Sequence, residues 1–134
     1  MLQSARSAPL FVEMLYLYRK QEHYLLHEFV VMPNHFHLLL SPSHPTTLEK
    51  AIQLIKGGFS FQVGKRFGYR GEIWQTSFHD RRVRDRDEYD NFRKYIHQNP
   101  VKVGLVSSAD AWPYSSASGE FELDDIPQRL KPGF

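Results

Sequence analysis

Cysteine is absent from this chain of 134 residues. A disulfide framework, a thiolate zinc site and a thiol nucleophile are therefore excluded, and any bound metal has to use His, carboxylate, amide or water ligands. Long apolar runs are also missing, and the chain opens in a mixture of polar and apolar residues. Neither a signal peptide nor a membrane span is expected, and a cytoplasmic location follows as the default. A strong excess of one charge is lacking too. The formal charge is +2 and the pI about 8.9, which permits a nucleic-acid partner without requiring one. No internal repeat or low-complexity segment divides the chain. With 41% hydrophobic and 14% aromatic residues, it is large enough and apolar enough for one globular core.

The most informative stretch is Met32-Pro33-Asn34-His35-Phe36-His37-Leu38-Leu39-Leu40. Apolar, β-prone residues flank Pro33-Asn34, where a tight reversal belongs, so residues 24 to 41 are expected to form a β-hairpin. Side chains alternate along a strand. His35 and His37 thus share one face, while Phe36, Leu38 and Leu40 share the other. Two imidazoles on one side of a strand make half of a metal site, although such a pair also occurs on ordinary surface strands.

Around the hairpin, residues 8 to 22 place Leu10, Phe11, Met14, Leu17 and Tyr18 at helical intervals. Thr46 or Thr47 is positioned to cap a helix over 47 to 67, with Leu48, Ile52, Leu54, Ile55 and Phe59 on its apolar side and a bend or break expected at Gly57-Gly58. Residues 73 to 84 read as an irregular third strand. Asp85 to Gln98 is the last strong helix, with Tyr89, Phe92 and Ile96 on one stripe and Pro100 expected to stop it. The order of elements implies an α+β fold, with helices packed on one face of an antiparallel sheet. Beyond Val101 the chain is rich in Pro, Ser and Gly, with an apolar anchor at Trp112-Pro113-Tyr114.

Tyr95 lies well inside the last helix, and Asn99, four residues on, falls on nearly the same side. Gln98 is also close, and His97 points away. Phenols ionise near pH 10, so a tyrosine is a poor nucleophile unless charge on its target is stabilised. A cation held by two imidazoles and an amide oxygen could do that by polarising a phosphoryl oxygen. A half-buried helix aromatic with no chemical role is the plain alternative.

Four segments resemble, in order, the blocks of the REP-associated tyrosine transposases, members of the single-tyrosine HUH nucleases. They are Val31 to Leu39, Trp74 to Arg81, Tyr95 to Val106 with its Tyr95-Ile96-His97-Gln98-Asn99-Pro100 core, and Trp112 to Ser116. The resemblance spans about residues 10 to 116 and implies a transposase-like domain over 1–116 followed by a tail over 117–134. It implies a ferredoxin-like sheet and a metal-dependent endonuclease and strand transferase acting on single-stranded DNA beside hairpins formed by repetitive extragenic palindromes. His35 and His37 match the motif histidines that hold Mg²⁺ or Mn²⁺, and Tyr95 matches the nucleophile that forms a 5′-phosphotyrosine. Related insertion-sequence enzymes carry a glutamine four residues after the tyrosine. Here Asn99 stands there, and Gln98 is the alternative third ligand.

Arg81, Arg82, Arg84 and Arg86, together with Lys56 and Lys102, are candidate DNA contacts, and alternation would place Arg82, Arg84 and Arg86 on one side if the strand continued that far. His79 could sit beside the site or merely pin the strand. Family members are prokaryotic and would be nucleoid-associated. They usually begin with a further, central strand, which is not expected here because helical sequence is reached by about Pro9; either the protein starts upstream, or strand exchange between two chains or the C-terminal tail fills the gap. Without it the chain is expected to dimerise or rearrange at that edge, or else to survive as an inert hairpin-binding remnant.

Overall fold

In the computed structural model, the residues described are 7–33, 35–67 and 83–130. Three helices and one antiparallel hairpin make an α+β fold. In chain order they are α1 (Ser7–Lys20), β1 (Tyr24–Val31), β2 (Phe36–Pro42), α2 (Leu48–Phe67) and α3 (Arg86–Lys102), followed by a segment with three short 3-10 turns. The third strand expected over 73 to 84 falls almost entirely outside the described residues.

Strand β1 carries an irregularity that the alternation rule does not anticipate. Its pairing with β2 slips between Leu26 and Glu28, leaving His27 as the extra residue of a β-bulge. The bulge changes the face pattern, so that Tyr24, Leu26, Phe29 and Val31 all point into one core. Glu28 is thereby freed for the opposite side. His27 is itself buried, with Nε2 2.8 Å from Ser41 Oγ.

Two cores sandwich the hairpin. On one face, Leu10, Phe11, Met14 and Leu15 of α1 and Ala51, Ile55, Phe59 and Val63 of α2 pack with that β1 set, and Phe36, Leu38 and Leu40 lean against them. Each of the fully buried Phe11, Phe29 and Phe59 contributes about 2–3 kcal/mol by burial. On the other face, Tyr89 and Ile96 of α3 meet Val30, Met32 and Leu39. The expectation of helices on one face therefore holds for α1 and α2 and is corrected for α3. An apolar His37-to-Leu39 face has to be covered as much as the Phe36-to-Leu40 face does.

Several local expectations are refined. Thr47 caps α2, its hydroxyl accepting from the Lys50 N–H at 3.1 Å. No break occurs at Gly57-Gly58, since α2 is continuous from Leu48 to Phe67. Gly58 instead makes room for Tyr18 of α1, since a Cβ there would fall on the end of that side chain. Leu17, expected on the buried stripe, is 40% exposed, and Leu15 takes its place.

Helix α3 begins at the N-cap Asp85, which accepts from the Glu88 N–H at 2.9 Å. Pro100 does not stop it. Proline removes its own N–H donor and crowds the carbonyl one turn earlier, but the helix tolerates it in its last turn and runs on to Lys102. It closes with Gly104 at φ 82°, Gly104 N–H donating to Val101 O at 3.0 Å and Leu105 N–H to Pro100 O at 2.9 Å. This is the Schellman arrangement, which uses the left-handed conformation that glycine adopts most cheaply.

The segment after α3 runs along the edge of β1 that faces away from β2. Val31 donates to Tyr114 O at 2.8 Å, and Val31 O accepts from Trp112 Nε1 at 3.0 Å. The Phe29 N–H donates to Ser116 Oγ at 3.0 Å, and its carbonyl lies 3.1 Å from the same hydroxyl. Leu26 donates to Asp124 Oδ2 and accepts from the Asp124 N–H, both at 2.8 Å. Side chains and turns thus satisfy an edge that would otherwise be open. Residues 117–130, expected as a tail, pack Phe121 and Leu123 against the first core and Ile126 and Leu130 in the second.

Asp124 also takes a two-pronged hydrogen bond from Arg19 of α1, Nε to Oδ2 at 2.8 Å and Nη2 to Oδ1 at 2.9 Å. That bond holds its carboxyl below the usual carboxylate range despite burial. A depressed carboxyl contributes stability that is present above its ordinary pKa of about 4 and is lost as pH falls through the folded value. Asp124→Asn is therefore expected to cost about 2 kcal/mol at pH 7. In urea unfolding, the gap from the parent should narrow on going to pH 3.

Candidate functional site

The surface between β2 and α3 gathers the residues that the sequence singles out. His37 pairs with Val30 across the hairpin, and α3 covers that face. Its ring lies 5.0 Å from that of His35 and 5.1 Å from that of Tyr95, measured between centroids. His35 sits just ahead of β2, where its carbonyl accepts from the Met32 N–H at 2.7 Å and closes the reversal. Tyr95 stacks on Phe92 at 6.1 Å and is 46% exposed. One edge of its ring is held while the other stays open to solvent.

Burial lowers the pKa of both imidazoles. That of His37 is brought to about 4, by burial first and then by the charge His35 would carry. Both rings are neutral at pH 7, the state in which imidazole has a lone pair to give a metal.

Asn99 is one helical turn beyond Tyr95 and is buried, whereas Gln98 is exposed. Because α3 continues through Pro100, Asn99 keeps the helical geometry that the following proline was expected to disturb. Among the described residues, His37 Nε2 and Asn99 Oδ1 are the buried side-chain polar atoms without a hydrogen-bond partner. An unmet buried polar atom costs about 1–3 kcal/mol. Two of them, on residues flanking the same tyrosine, fit a site built to receive something.

Among the described residues, no group of three His, Asp or Glu side chains is placed around a common metal position. The donors at hand are two imidazole nitrogens and an amide oxygen. This mixed nitrogen and oxygen set suits Mn²⁺ well and accepts Mg²⁺ through the oxygen and water.

The candidate DNA contacts lie differently. Arg81, Arg82 and His79 are outside the described residues. Arg84 and Arg86 do not continue a strand, because Asp85 between them is the N-cap of α3 and Arg86 is its first residue. The alternation that would align them does not apply. Each is paired within the helix start, Arg84 with Glu88 at 2.7 Å and Arg86 with Asp90 at 3.1 Å. Lys102 is exposed at the far end of α3, and Lys56 is partly buried on α2, the helix on the other face of the sheet.

A cluster that the sequence reading missed lies beside the site. Glu28, on the α3 side of β1, is buried and accepts from His97 Nε2 at 2.5 Å, Ser116 Oγ at 2.8 Å and Arg93 Nε at 3.3 Å. Burial pushes its carboxyl up, but those hydrogen bonds and the neighbouring cationic charges outweigh it and hold the group below its ordinary value. The available signal was a carboxylate inside the otherwise apolar run Tyr24 to Val31, which has to find partners.

Comparison with known proteins bears on this arrangement. The family described as transposase IS200 like matches residues 5–99, and the chain belongs to that family. Over 108 residues it is 32% identical to a Haemophilus influenzae protein assigned to the REP-associated tyrosine transposases, covering 73% of this chain and 61% of that one. It is 29% identical over 105 residues to the REP-associated tyrosine transposase of Escherichia coli K12, covering 74% and 61%. The chain thus spans about three-fifths of the length of these relatives. A solved REP-associated tyrosine transposase bound to a REP hairpin has the same fold, with a TM-score of 0.68 and 23% identity over 91% of this chain and 74% of that one.

If Asn99 is kept for a ligand rather than for the fold, its near-isosteric replacement should not harm the metal-free protein. Asn99→Leu is expected to leave stability unchanged or raise it by about 1 kcal/mol, measured by urea unfolding in a chelator. A loss of more than about 1 kcal/mol would assign Asn99 to the fold instead.

Proposed function

We propose that this chain carries the nuclease core of a single-tyrosine DNA transposase, which cuts single-stranded DNA beside a hairpin and can rejoin it. Tyr95 is the nucleophile, and His35, His37 and Asn99 hold a divalent cation, Mg²⁺ or Mn²⁺. The reading rests on one observation above the others: a half-exposed phenol against His37, on the helix turn before Asn99, with an orphaned buried atom on each of those two residues.

A divalent cation held by His35, His37 and Asn99 would supply Lewis-acid stabilisation of the charge that develops on the phosphoryl group. Tyr95 Oη bonds to phosphorus and gives up its proton to solvent. The bond from phosphorus to the 3′ oxygen breaks, and that oxygen leaves as a 3′-hydroxyl after taking a proton from solvent. The product is a 5′-phosphotyrosine, in which one phosphate ester has replaced another. A 3′-hydroxyl of DNA can therefore attack the same phosphorus, expel Tyr95 and restore a phosphodiester. Tyr95 is 46% exposed, so an incoming phosphate can approach its hydroxyl from solvent.

The DNA partner is a single strand with a hairpin. Arg84, Arg86 and Lys102 would meet its phosphates, with Arg81 and Arg82 as further contacts; Lys56, on α2 across the sheet from Tyr95, is not among them. Both arginines lie at the surface in i,i+4 pairs, Arg84 with Glu88 and Arg86 with Asp90, where solvent screens the attraction, so their guanidinium groups can turn from a carboxylate to a phosphate. Asn99 is preferred to Gln98 as the third ligand because it is buried on the turn shared with Tyr95.

Incubation with hairpin-bearing single-stranded DNA and Mn²⁺ should give a covalent adduct visible on a denaturing gel. Tyr95→Phe should abolish it, and His37→Ala should reduce it at least about a hundredfold. Retarded migration without any adduct would instead show a hairpin binder that does not cut. Replacing Arg84 and Arg86 together should weaken binding and flatten its salt dependence by about two charges.

A further inference from the structure

We propose that Glu28 is a positioning residue: through His97 it fixes the rotation of α3 about its own axis, and so aims Tyr95 at His37. The inference rests on the proposed function for its catalytic meaning, although the geometry it concerns exists without DNA or metal.

Helix α3 lies across both strands of the hairpin. Ile96 is fully buried at the centre of the contact, among Val30, Met32 and Leu39. With Tyr89 and Phe92 packed along the same stripe, these apolar contacts choose which face of α3 turns inward, but non-directional packing leaves its exact rotation loosely set. The residues on either side of Ile96 settle the roll. His97 reaches β1, where Nε2 donates to Glu28 at 2.5 Å, and Tyr95 reaches β2, where its ring meets His37 at 5.1 Å. Residues two apart on a helix differ by about 200° around the axis, so tethering one flank dictates where the other points.

The tether is itself anchored. Glu28 is 7% exposed and accepts from Ser116 Oγ at 2.8 Å, while that hydroxyl accepts from the Phe29 N–H at 3.0 Å. Arg93, one turn before His97, adds a weaker contact at 3.3 Å to the other carboxylate oxygen. The carboxylate is therefore held by the strand that bears it and by the segment bordering that strand, and it grips α3 at two successive turns. A charge-assisted hydrogen bond has a narrow preferred geometry. That is the property needed to hold an aromatic ring to within a fraction of an ångström of a productive position.

The test separates aiming from mere stability. In metal-free protein with ¹³C-labelled tyrosine rings, the Tyr95 signal is identified by its loss in Tyr95→Phe. In the parent it should be displaced by the neighbouring His37 ring. His97→Ala and, independently, Ser116→Ala should move it toward the position of a freely exposed tyrosine while the signal of Tyr24, buried on β1, stays in place. His97→Gln, whose amide can still donate to Glu28, should restore it. With hairpin DNA and Mn²⁺, His97→Ala should slow adduct formation at least tenfold at saturating DNA, with the half-saturating DNA concentration changed less than twofold.

If these variants lower the unfolding midpoint but leave both the Tyr95 signal and the saturated rate unchanged, the positioning role is overturned and Glu28 only holds the fold together. If the parent protein forms no adduct, the nuclease reading fails. The NMR comparison still decides whether Glu28 aims the ring, and one of the two alanine variants suffices for it should the other fail to fold.

Discussion

A β-strand has two edges, and everything in this structure depends on β1 having both of its edges filled. A two-stranded hairpin alone is marginal in water. Here β2 takes one edge, and the segment from Trp112 to Asp124 takes the other with an indole, a hydroxyl, a carboxylate and two backbone groups. None of this is regular strand pairing apart from a lone bridge between Val30 and Ser115. It is an edge closed by side chains. Because Asp124 is also gripped by Arg19 and Ser116 by Glu28, closing the edge ties α1 and α3 to the same strand.

That rigidity gives meaning to the unmet atoms beside it. Native proteins leave few buried polar groups without partners, and those they leave tend to have work to do. Glu28 and His37 share one face of one hairpin, yet the first is saturated with donors and the second has a nitrogen with none among the described residues. The contrast is a division of labour. On the β1 side α3 is fastened through Glu28, and on the β2 side Tyr95 meets a ring whose Nε2 has no partner among the described residues.

Much of the arrangement could be read from local periodicity. The shared face of His35 and His37 follows from the two-residue repeat of a strand, and the shared side of Tyr95 and Asn99 from the helical repeat. The helices over residues 8 to 22 and 47 to 67 are found within a few residues of their expected ends. The failures have physical causes. Pro100 looked like a stop because proline removes a donor, but one missing bond near a helix end is easily offset by the closing turn at Gly104. Gly57-Gly58 looked like a break because glycine is a poor helix former, yet Gly58 is the point where Tyr18 crosses. Arg84 and Arg86 looked like one face of a strand until Asp85 proved to be a helix cap.

What the sequence alone determined is the set of short-range facts: which residues form helix or strand, which pairs of side chains share a side, and, through four ordered blocks, the kinship of the chain. Only the tertiary structure decided that α3 covers the histidine face, that Glu28 takes His97 and Ser116 as partners, and that the C-terminal segment closes β1. Periodicity is set by bond geometry within a few residues. A buried carboxylate or an open strand edge states only that it needs a partner, and folding alone determines which residue, some 70 to 100 positions away, will meet that need.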